Sequence, residues 1–214
     1  MSDGEFSSPA CSLHQGESAF TDAPAPSDDW DDVRLWRKAK RAALIARRLA
    51  LSPADRAAGS ARITERLTGL LAAAPGRLVG FYWPFKGEYD PRPLVRTLHA
   101  NGVVLALPVV VAKAQPLIFR PWWPRAPMTL GVWNIPIPAE GEPVQPDLLL
   151  VPVIGFDKAG YRLGYGGGFY DRTLAAMPVR ARTIGIGFSG SAMRTIYPQA
   201  HDIPMDTIVT DSPT

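Results

Sequence analysis

Cysteine is nearly absent. Cys11 is the only one in 214 residues, so no internal disulfide can form, which suits a reducing compartment. No apolar run approaches the roughly 18–20 residues that span a bilayer. The opening Met1-Ser2-Asp3-Gly4-Glu5 lacks the basic start and apolar stretch of a secretory leader. The resulting expectation is a cytoplasmic protein with no membrane partner. Histidine is scarce too: His14, His99 and His201 show no metal-ligand spacing, so no zinc site is expected. No internal repeat is present.

Basic residues are missing from one end. Residues 1–32 hold eight acids and no Lys or Arg, while the remaining 182 residues carry 23 bases against 12 acids. A basic body of this kind suits an anionic partner, whether nucleotide, phosphorylated metabolite or nucleic acid, although it also serves solubility alone. Residues 1–30 are rich in Ser, Ala, Pro and acids without hydrophobic period, and a disordered acidic tail is expected there. Residues 31–214 are long enough for one domain.

Helix and strand signals alternate along that domain. A helix is expected from about Asp31 to Leu51, with Val33, Trp36, Leu44 and Leu51 as scattered apolar positions. Arg37, Lys38, Lys40, Arg41, Arg47 and Arg48 form its cationic face. Ser52-Pro53-Ala54-Asp55 starts a second helix, because Ser caps, Pro suits the first turn and Asp favours the dipole. It should end near Ala73, ahead of Pro75-Gly76. Strands are expected at Leu78–Trp83, Val103–Leu107 (ended by Pro108), Leu117–Trp122, Leu148–Val153, Thr183–Phe188 and Thr207–Thr210. Helices are expected at Pro91–Ala100 and Gly168–Ala176. Such alternation predicts an α/β domain with a mainly parallel sheet.

The densest chemical signal is Arg162-Leu163-Gly164-Tyr165-Gly166-Gly167-Gly168-Phe169-Tyr170-Asp171-Arg172. It follows an apolar strand and leads into a helix, the setting in which backbone N–H groups and a helix N-terminus bind phosphate. Glycines let the backbone approach an anion, and Arg162 and Arg172 add charge-assisted contacts. No Gly-Lys-Ser/Thr follows, so this is not a Walker A loop, and the glycine spacing does not fit a dinucleotide fingerprint. A tight strand–helix turn that needs glycine for packing is the competing reading. Asp171 would repel a bare phosphate. A Mg²⁺ ion between them removes the repulsion, while a carboxylate favouring the helix dipole explains the residue equally well.

This segment resembles the signature of the 5-formyltetrahydrofolate cyclo-ligase family, also called methenyltetrahydrofolate synthetases. Other stretches resemble the same family: Pro152-Val153-Ile154-Gly155-Phe156-Asp157, Trp133-Asn134-Ile135-Pro136, Gly87-Glu88-Tyr89-Asp90, Ser52-Pro53-Ala54-Asp55-Arg56 and His201-Asp202-Ile203-Pro204-Met205-Asp206. The likeness covers about residues 34–211. It implies a three-layer α/β/α fold and ATP-dependent closure of 5-formyltetrahydrofolate to 5,10-methenyltetrahydrofolate, with release of ADP and phosphate. Phosphorylation of the formyl oxygen turns a poor leaving group into a good one.

Carried over by position, the resemblance implies ATP contacts from Arg37, Lys38 and Arg41 and from Arg162, Leu163, Gly164, Tyr165, Gly166, Gly167, Gly168, Phe169 and Tyr170. Arg41, Arg162 and Tyr170 would be catalytic. Trp83, Glu88 and Trp133 would meet the folate, together with Tyr165, Gly166, Gly167, Gly168 and Phe169. Asp171 and Asp202 would hold Mg²⁺. Read without the family, each of those tryptophans is as readily a core aromatic. The chain departs from the family's pattern at Arg37, where Lys is common, and at Phe188-Ser189-Gly190-Ser191, where many members carry Gln. The implied partners are two small molecules, with no nucleic acid, in a monomer or homodimer. Two other readings are a paralogue that binds nucleotide for another pathway and a non-enzymatic RNA- or nucleotide-binding module using the first helix.

Overall fold

A computed structural model describes residues 29–72 and 78–212. Residues 1–28 of the expected acidic tail and the Pro75-Gly76 helix stop lie outside the described residues, while Trp30, expected in the tail, already belongs to the first helix. Two long helices come first, α1 (Trp30–Leu49) and α2 (Pro53–Leu71). Ser52 caps α2 as its sequence requires, its Oγ accepting from the Asp55 N–H at 3.1 Å, with Pro53 at the first helical position.

The centre is a six-stranded sheet in the order β11-β9-β6-β1-β2-β3. Its strands are β1 (Leu78–Gly80), β2 (Val104–Val110), β3 (Leu117–Trp122), β6 (Leu148–Pro152), β9 (Arg182–Ile186) and β11 (Thr207–Val209). All neighbours run parallel except β2 and β3. β6 is buried on both faces, which explains its unbroken run of Leu and Val. Leu148 and Leu150 pack with α2 and with α3 (Arg92–Ala100), through residues such as Ile63, Leu67 and Val95. Leu149 and Val151 pack on the opposite face with Leu174 of α4 (Phe169–Ala176). These two clusters are the two interfaces of a three-layer α/β/α sandwich, as the sequence implied.

Two smaller sheets escape the sequence reading. β4 (Met128–Leu130) and β5 (Pro136–Pro138) form a hairpin, and β7 (Gly155–Asp157), β8 (Arg162–Leu163) and β10 (Ala192–Met193) form a three-stranded sheet. Strands of two or three residues are too short for alternation to register. Leu44 of α1 packs on this small sheet with Ile154, Leu163 and Ile196. Asp157 is buried at 5% exposure and fixes the sheet's loops, accepting N–H groups of Ala159, Tyr161 and Ile196 at 3.0–3.1 Å.

Pro108 does not end its strand. The Ala106 carbonyl accepts from Phe81 N–H, so backbone groups of Ala106 and Pro108 face the β1 side of the strand. β1 stops at Gly80, opposite Ala106. The proline therefore removes no ladder bond, and pairing with β3 continues to Val110. β1 is in turn shorter than expected, because residues 81–83 leave the sheet to build the cleft described below.

Leu150 is 1% exposed at the sheet centre. Leu150→Ala should lower unfolding free energy by about 2–5 kcal/mol, measured by urea denaturation.

Candidate active site

The crossover after β1 places α3 on one face of the sheet, and that after β6 places α4 on the other. Adjacent parallel strands whose connections part this way leave a crevice beyond their carboxyl ends, where α/β proteins bind ligands. The segment Phe81–Glu88 leaves β1 into that crevice, and the glycine-rich loop follows β8 into it. A cleft of about 800 Å³ results, a size that holds a cofactor-sized molecule.

Two of the loop's glycines are required by geometry. Gly166 and Gly168 have φ of +91° and +62°, a region that costs other residues steric strain. A Cβ on Gly166 would lie 3.2 Å from Arg41 Cζ, and one on Gly168 would lie 2.8 Å from Arg172 Nη1. Gly168 is also the N-cap of α4. Arginines hold the loop by its carbonyls: Arg41 Nε donates to Gly164 O at 2.7 Å, and Arg172 donates to Gly167 O. The Arg172 guanidinium lies 5.4 Å from the Phe169 ring centre. Burial, then the like charge of Arg37, lowers the Arg41 pKa, with Asp202 opposing; a guanidinium stays cationic regardless.

Arg37 and Arg162 work in parallel ways. Arg37 is 5% exposed. It donates to Ile196 O at 3.0 Å, Tyr197 O at 2.8 Å and Asp202 Oδ2 at 2.6 Å. Burial pushes the Asp202 carboxyl up, but Arg37 and the Gln199 N–H outweigh it and hold the group below the usual aspartate range. Arg162 is 8% exposed. It donates to Ile203 O at 2.8 Å, pairs with Asp171 Oδ1 at 3.0 Å, and lies 5.8 Å from the Tyr170 ring. Burial, then the charge of Glu88, raises the Tyr170 phenol, so it is a neutral donor at ordinary pH.

Glu88 faces the loop across the cleft. It is 9% exposed, and its Oε2 accepts from Phe85 N–H at 2.9 Å. Tyr165 donates to its Oε1 at 2.8 Å. Burial raises the Glu88 pKa, opposed by Tyr165, the Phe85 N–H and Arg48.

Most of the expected site residues line one cavity. Arg37, Arg41, Trp83, Glu88, Trp133, Asp202 and the whole run Arg162–Asp171 do so. Trp83 has two roles, since it also packs on the main core cluster and lies 4.8 Å under Arg92. Trp133 is 57% exposed, at the tip between β4 and β5, 6.1 Å from the Phe169 ring. Lys38 is exposed on α1 and is not among the lining residues. Lys86, Tyr82 and Phe85 line the cleft without having been singled out, because their segment carries no motif beyond Glu88.

Asp171 has the donor chemistry for Mg²⁺, whereas both oxygens of Asp202 are taken by Arg37 and the Gln199 N–H. Among the described residues no cluster of three or more His, Cys, Asp or Glu forms, so the protein alone does not cage a metal. Mg²⁺ is commonly bound by one or two carboxylates completed by phosphates and water. Both contacts of Asp171, from Arg162 and Ile203 N–H, fall on Oδ1, and a carboxylate so engaged retains its second oxygen for a cation.

A model of the 5-formyltetrahydrofolate cyclo-ligase family matches residues 33–211. A 5-formyltetrahydrofolate cyclo-ligase of Escherichia coli is 30% identical over 173 residues, covering 78% of this chain and 95% of its own. One from Mycolicibacterium smegmatis is 33% identical over 182 residues, covering 79% and 91%. The solved structure of a 5,10-methenyltetrahydrofolate synthetase from Mycoplasma pneumoniae superposes with a TM-score of 0.69 at 25% identity, over 82% of this chain and 99% of that one.

Gly166→Ala should cost about 1–2 kcal/mol of stability in urea. Gly164→Ala, with open space around it and no positive φ, should be neutral. The Arg37–Asp202 pair stabilises fully above about pH 3.9 and is lost as pH falls through the depressed Asp202 value. Asp202→Asn should therefore lower the unfolding midpoint at neutral pH and converge with wild type in strong acid.

Proposed function

The chain belongs to the 5-formyltetrahydrofolate cyclo-ligase family, a family of ligases, and from that premise we propose that it uses ATP and Mg²⁺ to convert 5-formyltetrahydrofolate into 5,10-methenyltetrahydrofolate. The observation that carries this reading is the shared cleft, where a cation-held glycine loop faces a buried carboxylate and exposed aromatics. The loop N–H groups and the α4 N-terminus receive ATP phosphates, with Arg41, Arg162, Arg172 and Lys86 balancing their charge. Glu88, an acceptor when ionised, takes the amino-pyrimidine donors of the pterin. Trp83 and Trp133 wall the rings.

The formyl oxygen attacks the γ-phosphorus of ATP, ADP leaves, and the neighbouring folate nitrogen then attacks the activated carbon, which expels phosphate. Positioning two reactants and stabilising the transferring charge are what this cleft supplies. Asp171 would hold Mg²⁺, which screens phosphate charge when bound.

The RNA-binding alternative loses support because Arg37, Lys40 and Arg48 of the first helix are buried, which leaves Arg34, Lys38 and Arg47 as its exposed cations. Reaction with two small molecules accounts for the same cations. The paralogue alternative rests on Phe188–Ser191, but Phe188 is 6% exposed in the main core and is not among the lining residues.

Purified protein with 5-formyltetrahydrofolate, ATP and Mg²⁺ should develop the near-ultraviolet absorbance of the methenyl product, and omission of ATP should abolish it. No rise, with nucleotide binding confirmed calorimetrically, would favour the paralogue. Asp171→Asn retains an acceptor for Ile203 N–H and should lower kcat about a hundredfold or more while raising the Mg²⁺ concentration for half-activity. Wild-type Mg²⁺ dependence would remove Asp171 from the metal site.

A further inference from the structure

We propose that Arg48 is a positioning residue for the folate site, acting through the Tyr165 hydroxyl to fix the Glu88 carboxylate. The proposal rests on the reading of Glu88 as the pterin acceptor.

Arg48 lies near the end of α1, within the residues the family model matches but outside the glycine-rich signature and the other short motifs quoted above. It is 5% exposed, and its donors are spent on three separate segments. Nε donates to Lys86 O at 3.0 Å, Nη1 reaches Val153 O at 3.5 Å, and Nη2 donates to Tyr165 Oη at 3.0 Å. One planar group thus spans the turn before Glu88, the junction after β6 and the glycine loop. Arg56 of α2 backs the arrangement, donating to Gly87 O at 2.6 Å and to Arg48 O at 2.7 Å.

The hydroxyl of Tyr165 stands between the two charges. It accepts from Arg48 and donates to Glu88 at 2.8 Å, while the Arg48 and Glu88 charges themselves are 3.9 Å apart. A phenol that accepts from a cation becomes a better donor to an anion. The relay leaves Glu88 one preferred rotamer and a counter-charge, so its oxygens are set before ligand arrives. Preorganisation of this kind lowers the ordering cost of binding. It also joins the two halves of the cleft, because Tyr165 belongs by backbone to the phosphate loop and by side chain to the folate site.

The groups facing Glu88 are Arg48 from α1, Tyr165 from the loop, Tyr82 after β1, Tyr170 from α4 and the Phe85 N–H. The tyrosines are neutral across ordinary pH, so only Glu88 titrates. Its carboxylate form is the acceptor. Burial already raises its pKa, and removing Arg48 or the Tyr165 hydroxyl removes groups that hold it down. Folate binding in such variants should therefore fade at a higher pH on acidification than in wild type.

The test titrates full-length protein with 5-formyltetrahydrofolate alone across pH 5–8, and separately measures KM for folate and ATP, in wild type, Arg48→Met, Arg48→Lys, Tyr165→Phe and Glu88→Gln. Arg48→Met should weaken folate about tenfold or more, shift the acid limb upward, and leave the KM for ATP within about threefold. Tyr165→Phe should do the same more mildly. Arg48→Lys keeps the charge without the fork and should fall between wild type and Arg48→Met. Arg48→Met and Tyr165→Phe should combine less than additively. If Arg48→Met does not fold, Tyr165→Phe and Arg48→Lys decide. Wild-type folate affinity and acid limb in those variants, with Glu88→Gln impaired, would overturn the positioning role alone. Unchanged affinity in Glu88→Gln would overturn the pterin reading of Glu88 and this proposal with it.

Discussion

A buried guanidinium must find acceptors for its donors or cost several kcal/mol, and the cleft is assembled around that demand. Arg37, Arg48 and Arg162 are each 5–8% exposed, and each meets the demand by holding loop carbonyls. Arg37 takes Ile196 and Tyr197, Arg48 takes Lys86 and Val153, and Arg162 takes Ile203. Arg41, half-buried, takes Gly164. Loops after β1, β6, β8 and β10 have little regular pairing of their own. The arginines give them fixed positions relative to α1, and the charges remain near the cleft for an anionic ligand.

The sheet decides where these loops meet. α3 and α4 cover opposite faces, so the ends of β1 and β6 open onto a crevice that neither helix fills. The core beneath it is dense, with Leu148, Leu149, Leu150 and Val151 all at 0–1% exposure. A rigid floor of that kind keeps loop residues in register. Asp157 extends it sideways by tying the small sheet to Ile196, whose carbonyl Arg37 then takes. Folded in this way, the chain carries its chemistry on loops and its precision in the layers below them.

Charge in the cleft is unequal. Cations predominate near the glycine loop, whereas Glu88 sits deeper with Tyr165 and Phe85 N–H as its immediate partners. Both carboxylates implied as metal ligands, Asp171 and Asp202, are paired, with Arg162 and Arg37 respectively. A ligand with a polyanionic end and a neutral, donor-bearing ring at the other end matches this polarity, which is how ATP and a pterin would share one space.

The linear code alone determined the alternation of helices and strands, the apolar β6, the Ser52 cap of α2 and the glycine-rich turn that leads into α4. Those depend on neighbours within a few residues, which periodicity and glycine spacing report directly. It also supplied Glu88, Trp83, Trp133, Asp171 and Asp202, though only through likeness to a family, since a lone acid or Trp has no local signature. Tertiary structure decided the rest. Pro108 continues its strand because β1 ends beside it, and the hairpin and small sheet are too short to read. Lys38 faces solvent while Lys86 enters the cleft. Part of the cationic face of α1 turned out to point inward: Arg37, Arg41, Leu44 and Arg48 recur at helical spacing, a stripe that an apolar-only reading passes over, while Arg47 stays exposed like Lys38. Which arginine meets which carbonyl is settled by segments 38 to 160 residues apart, and only the folded chain brings them together.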